Sequence, residues 1–218
     1  MKNIKYTHVI MSICIILLVV SCGEENEKKY EIKYPNGNIK ETGLMVKNEK
    51  GEFQREGDWN TYYDNGNLKR KSSYIKGKLD GPYETLFESG QKKESGAYLE
   101  NEKNGKWSVW NEKGKLLEEI EYEKGHKNGT YAIYSPEGQK LIQGKYQHGK
   151  KNGTWMKWFP NGKQQEKGSY LNGRKHGSWY RWDENGKLVE NLNFVKGQVS
   201  NKKSYDRTTS QGKPNNMQ

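Results

Sequence analysis

Gly105-Lys106-Trp107-Ser108-Val109-Trp110, Gly153-Thr154-Trp155-Met156-Lys157-Trp158 and Gly177-Ser178-Trp179-Tyr180-Arg181-Trp182 are three copies of one phrase, and that phrase decides the fold. Its leading glycine recurs every 24 residues, at Gly57, Gly81, Gly105, Gly129, Gly153 and Gly177, so the stretch from Gly57 to Gly197 is one unit written six times. A fixed period of this size signals an elongated array in which each unit packs only on its neighbours.

These six are read as turn glycines, and so is a second set nine residues on, at Gly66, Gly90, Gly114, Gly138, Gly162 and Gly186. Pairs such as Asn65-Gly66, Ser89-Gly90, Asn161-Gly162 and Asn185-Gly186 are turn dipeptides, and Asn-Gly suits a tight type I′ hairpin. Before this turn stand Trp59, Tyr83, Trp107, Tyr131, Trp155 and Trp179, followed three residues later by Tyr62, Leu86, Trp110, Tyr134, Trp158 and Trp182. After it, each run ends in Tyr74, Tyr98, Tyr122, Tyr146, Tyr170 or Phe194. Two aromatic-rich runs around a glycine turn read as a hairpin.

A spacing of three cannot hold two aromatics on one face of a regular strand, so either a bulge intervenes or the pair is split between faces. A second glycine turn closes each unit, from Lys76-Gly77 through Asp80-Gly81 or from Asn172-Gly173 through His176-Gly177. Asn101 replaces the glycine found at Gly77, Gly125, Gly149, Gly173 and Gly197, and asparagine keeps the turn because it tolerates the left-handed region. A lone hairpin is marginal in water. The expected fold is therefore all-β: an elongated, single-layer, twisted antiparallel sheet of tandem hairpins with little conventional core.

Only 31% of the chain is hydrophobic and 30% is charged, a balance that disorder would also satisfy. Seven Trp and fifteen Tyr in fixed register argue for a thin sheet whose aromatics stack in columns from repeat to repeat. Trp59, Tyr83, Trp107, Trp110, Tyr131, Tyr134, Trp155, Trp158, Trp179 and Trp182 are the candidate ladder or contact face.

The glycine and aromatic pattern between Gly57 and Gly197 resembles the MORN repeat family, in its second variant, found in bacterial proteins of the antitoxin-like YwqK type. The resemblance implies a β-hairpin array used for binding, and through the family label it implies antitoxin or immunity activity.

Residues 1–21 read as a lipoprotein signal peptide. Lys2 and Lys5 are its basic start, Val9 to Val20 its apolar run, and Val19-Val20-Ser21-Cys22 resembles a lipobox with lipidation at Cys22. The run is short for a membrane span of about 20 residues. Cys14 leaves with the leader, so disulfides and cysteine-based chemistry are excluded from the mature chain. Residues 22–29 form an acidic tether, in which Glu24, Glu25 and Glu27 either belong to a solvated linker or resemble the export signal of surface lipoproteins. An outer-membrane location follows, with the facing side left open. Residues 30–56 form a degenerate capping repeat: Tyr34-Pro35-Asn36-Gly37 echoes Tyr63-Asp64-Asn65-Gly66, yet five extra residues sit near Lys47 to Gln54. Six repeats occupy 57–200, and 201–218 is expected to be a disordered polar tail after at most a short last strand.

The net charge of +11 points to acidic partners: anionic lipids, acidic glycans or acidic proteins. Nucleic acid is not expected of an envelope protein, and the interleaving of Trp155, Lys157, Trp158, Lys163 and Lys167 is explained by the repeat register. Lys76, Lys78, Lys103, Lys124, Lys127, Lys150, Lys151, Arg174 and Lys175 would make a basic strip if the closing turns share an edge. His126, His148 and His176 lie in turns without metal-loop spacing, and Glu118, Glu119 and Glu121 read as a solvated face. No nucleophile elbow or phosphate loop is present, so neither an enzyme nor a cofactor or metal site is expected. The sequence leaves three readings: a lipid-anchored envelope protein that binds a protein, glycan or lipid, an antitoxin or immunity protein, and a structural spacer.

Overall fold

The computed structural model describes residues 26–205 and 214–215. The expected leader, the lipidation expected at Cys22 and the remainder of the tail lie outside the described residues. Strands run in chain order as β1 (Glu27–Lys33), β2 (Ile39–Lys47), β3 (Phe53–Tyr62), β4 (Leu68–Ile75), β5 (Lys78–Leu86), β6 (Lys92–Leu99), β7 (Glu102–Trp110) and β8 (Leu116–Glu123). They continue as β9 (His126–Tyr134), β10 (Lys140–Gln147), β11 (Lys150–Trp158), β12 (Gln164–Leu171), β13 (Arg174–Trp182), β14 (Leu188–Val195), β15 (Gln198–Tyr205) and the two-residue β16 (Pro214–Asn215). Each strand pairs antiparallel with the next, giving one open all-β sheet with the strands in sequence order.

Two boundaries differ from the sequence reading. Glu27–Lys29, assigned to the tether, begins β1, and 201–205, assigned to the tail, completes β15, because each run finds an unpaired edge to bond to. The extra residues expected near Lys47 to Gln54 form a longer loop, 48–52, in place of a closing turn between β2 and β3, and the Asn48 Oδ1 accepts the N–H groups of Lys50 and Glu52 at 2.9 and 3.0 Å.

The type I′ geometry expected at the Asn-Gly turns is found instead at the closing turns. In the closing turns both central residues have positive φ, as in Lys76 (49°) and Gly77 (77°), or Glu100 (50°) and Asn101 (72°). That is the type I′ requirement, and its twist matches the flanking strands. At the Asn-Gly turns only the glycine is left-handed, as in Gly66 at 87°. Asn65 stays right-handed there because its Oδ1 accepts the Asn67 N–H at 2.9 Å, an Asx turn that fixes the local conformation.

Gly57, Gly81, Gly105, Gly129, Gly153 and Gly177 are not turn glycines. They lie inside β3, β5, β7, β9, β11 and β13 at positive φ, each where the pairing with the preceding strand shifts. A bulge inserts residues into one strand and needs a left-handed position, which glycine supplies without a Cβ clash. The closing turns are tied across repeats by backbone bonds such as Gly125 N–H to Lys103 O (3.0 Å) and Gly173 N–H to Lys151 O (2.8 Å).

Candidate interaction surface

Side chains alternate across each strand, and the aromatic pair spaced by three is split between the faces. On one face Trp59, Trp107, Trp155 and Trp179 are 1–4% exposed, and with Tyr83 and Tyr131 they fill one row across the sheet. On the other face lie Trp110, Tyr134, Trp158 and Trp182, all half-buried. The split is visible in β13, where Trp179 meets Tyr170 and Phe194 while Trp182 meets Tyr180, two residues away on its own side. The candidate aromatics are thus two groups with separate environments.

The ladder is built by tryptophan lying over glycine. The rings of Trp59, Trp107, Trp155 and Trp179 cover Gly43, Gly96, Gly144 and Gly168 on the strand before, and a Cβ on any of these glycines would be driven into the indole. The close approach frees the indole N–H to reach backbone: Trp107, Trp155 and Trp179 Nε1 donate to the carbonyls of Ala97, Lys145 and Ser169 at 3.1, 3.1 and 3.0 Å. Trp59 Nε1 is buried without a partner in the first of the regular repeats, against the capping strand. Edge-on partners complete the column, with Tyr98 5.0 Å and Tyr170 5.0 Å from the rings of Trp107 and Trp179. These glycines escaped the sequence reading, although Gly96, Gly144 and Gly168 each stand eleven residues before their tryptophan, a usable signal.

Charged groups roof the ladder. Arg55, Lys103, Lys151 and Lys175 hold their cations 4.2, 3.6, 4.2 and 3.9 Å from the centroids of Trp59, Trp107, Trp155 and Trp179. Cation–π attraction contributes about 0.5–1 kcal/mol for such partly exposed pairs. Lys127 lies more distant over Tyr131 and Tyr146, at 5.7 and 5.3 Å. The expected basic strip therefore divides: Lys103, Lys127, Lys151 and Lys175 cover the rings, whereas Lys76, Lys78, Lys124, Lys150 and Arg174 are exposed along the closing-turn edge. Exposed Ile75, Leu99, Leu171 and Val195 punctuate that edge.

A carboxylate row completes the roof. Glu41 meets Arg55 at 3.0 Å, Glu94 meets Lys103 at 2.9 Å, Glu166 meets Lys175 at 3.1 Å, and Glu190 meets Arg181 at 3.0 Å. Glu118, in the same register, faces Tyr131. Burial and then the Glu118 charge push the Tyr131 hydroxyl up to about 12, and Tyr98, Tyr122, Tyr146 and Tyr170 are raised first by burial and then by neighbouring charged and phenolic groups. Glu118, Glu119 and Glu121 are accordingly not one solvated face. Glu119 points to the opposite side, pairing with Lys106 and accepting from Tyr134 Oη at 3.2 Å.

That opposite face carries shallow grooves. One of about 500 Å³ is lined by Glu119, Ala132, Tyr134, Gln143, Thr154 and Met156, and another of about 620 Å³ by Asp58, Asn60, Lys71, Ser73, Glu84 and Ser95. Among the described residues no group of three or more His, Cys, Asp or Glu gathers as metal ligands, and His126, His148 and His176 are exposed near the closing turns.

Four segments, 55–76, 103–124, 151–172 and 175–196, match the MORN repeat variant. Each holds one of the four tryptophans of the ladder; the units in the same register at 79–100 and 127–148 hold Tyr83 and Tyr131 instead. No curated protein matches the chain.

Proposed function

We propose that this protein is a lipid-anchored, non-catalytic binding module of the cell envelope, held in the outer membrane through Cys22 and engaging an envelope partner with the sheet face opposite the ladder. One observation carries the reading. The ladder aromatics are consumed as the core, so Trp110, Tyr134, Trp158 and Trp182, half-buried on the opposite face where Tyr134 also lines a groove, are rings available to a partner. Half-buried aromatics in register supply large contact area at small entropic cost, a composition favoured at binding hot spots. A cation-rich chain adds steering toward acidic partners.

Crosslinking in cells, followed by identification of the attached molecule, tests the proposal. The triple substitution Trp110→Ala, Trp158→Ala, Trp182→Ala is expected to lose at least tenfold in capture while unfolding as one sheet. Equal capture by the triple variant would refute this face as the contact. Cys22→Ser is expected to release the chain from the membrane fraction, and membrane retention with no incorporated palmitate would overturn the anchor.

A further inference from the structure

Across the ladder face, paired strands align one continuous row: Glu94 beside Val109, Glu118 beside Ile133, Ile142 beside Lys157, Glu166 beside Arg181. Every second member of this row is the carboxylate position of the roof. Twice the molecule shows how that position is used. The lysine nine residues on, Lys103 or Lys175, reaches over its tryptophan and meets the carboxylate of Glu94 or Glu166. In the repeat between, Lys151 reaches over Trp155 in the same way, but the residue in register is Ile142.

We propose that the gap above Ile142, bounded by Lys151, Lys157 and the Trp155 ring, is a seat for one carboxylate supplied by an acidic side chain of a partner polypeptide. The repeat itself defines the ligand chemistry, since Glu94 and Glu166 fill the equivalent seats from within the chain. Lys157, paired directly with Ile142, adds a second cation, and its nearest carboxylate is Glu166 at 3.8 Å, which Lys175 already engages. Lys127, Lys151, Lys157 and Lys175 therefore surround this region with Glu118 and Glu166 as the flanking anions. Burial first, then Lys157, Lys175 and Lys127, depress the Lys151 ammonium, with Glu166 opposing. An incoming carboxylate would relieve that crowding. Glu118 and Glu166 stand two strands away on either side, about 10 Å each by sheet spacing. They would repel a dense polyanion, so an isolated Glu or Asp fits where a nucleic acid or polyphosphate does not.

The seat deepens the binding-module reading but uses the face opposite to the proposed aromatic contact, so the two are tested separately. The full chain in neutral detergent is titrated with the blocked tripeptide Ser-Glu-Ser and its Ser-Gln-Ser counterpart, following lysine side-chain resonances and Trp155 emission. Saturable shifts at Lys151 and Lys157 are expected with the Glu peptide, at least tenfold tighter than with the Gln peptide. Ile142→Glu fills the seat as other repeats do, and is expected to keep the thermal unfolding transition while weakening the Glu peptide at least tenfold. Equal binding of the two peptides, or unchanged affinity in Ile142→Glu, overturns the seat. Failure to capture an envelope partner in cells with intact peptide binding would sink the broader reading and leave the seat standing.

Discussion

The repeats at Trp107, Trp155 and Trp179 and those at Tyr83 and Tyr131 share a length and a register, yet they solve the same packing problem differently. In a tryptophan repeat the preceding strand offers glycine, the indole lies on bare backbone, and the bulge glycine sits at φ 66–72°. In a tyrosine repeat the preceding residue is Ser72 or Ile120, directly paired with Tyr83 or Tyr131, and the bulge glycine moves to 104° at Gly81 and 111° at Gly129. A smaller ring leaves room for a side chain beneath it, and the backbone bulge moves to suit. The ladder responds as well. Tyr98, Tyr146 and Tyr170 each dock edge-on against the next tryptophan within 5.0–5.2 Å, a contact the tyrosine repeats replace with the Ser72 or Ile120 pairing. Ring size and the residue beneath it are therefore one choice made at two positions.

The largest effect should come from forcing the two solutions together. Gly144→Ile places a branched side chain under Trp155, and a cost of about 3 kcal/mol is expected from overpacking. Adding Trp155→Tyr recreates the Ile120–Tyr131 pairing and should recover more than half of that loss in a double-mutant cycle of chemical unfolding. Additive costs would show that the two positions are independent.

The bulge glycines give the next test. At Gly105 the space a Cβ would enter is open and φ is 72°, so Gly105→Ala should cost about 1–2 kcal/mol, the left-handed penalty alone. Gly129 at φ 111° is also crowded by Glu121, and Gly129→Ala should cost more in the same unfolding assay. An inverted order would break the distinction between the two bulge types.

Alkaline pH sharpens the comparison at a smaller scale. A phenol whose folded pKa is raised stabilises the fold fully below its ordinary value near 10, and that contribution disappears as pH rises through the folded value. Tyr131 is held at about 12, so stability should decline between about pH 10 and 12, and Tyr131→Phe should flatten the decline in denaturant midpoints measured across that window.

The smallest effect is expected in the roof. Lys103→Gln loses both the Trp107 contact and the Glu94 pair, for about 0.5–1 kcal/mol, whereas Lys151→Gln loses a ring contact only and should cost less. Comparable midpoints for the two variants would mean that the carboxylate adds nothing to the cation over the ring.

Much of the fold is legible in the sequence. Period, glycine turns and aromatic runs specify hairpins, and Asn101 is readable as a left-handed turn residue because few side chains other than asparagine replace glycine there. The two turn types are not separable by composition: Lys76-Gly77 does not advertise a type I′ turn as Asn65-Gly66 does, and the Asn65 side chain spends its preference on an Asx turn. The bulge glycines look like turn glycines because both need positive φ. Glu118 and Glu119 look like one charged run because adjacent letters conceal opposite faces.

A tandem array of antiparallel hairpins can be read from the letters alone, since a 24-residue glycine period and aromatic runs around glycine turns act locally, within one unit. Which residues share a row emerges when the strands pair: Trp155 lies on Gly144, Trp110 and Trp158 face away from the ladder, and Ile142 stands where Glu94 and Glu166 stand. Those outcomes depend on bulge placement and cross-strand register, which arise when neighbouring units pair and cannot be expressed by one unit alone.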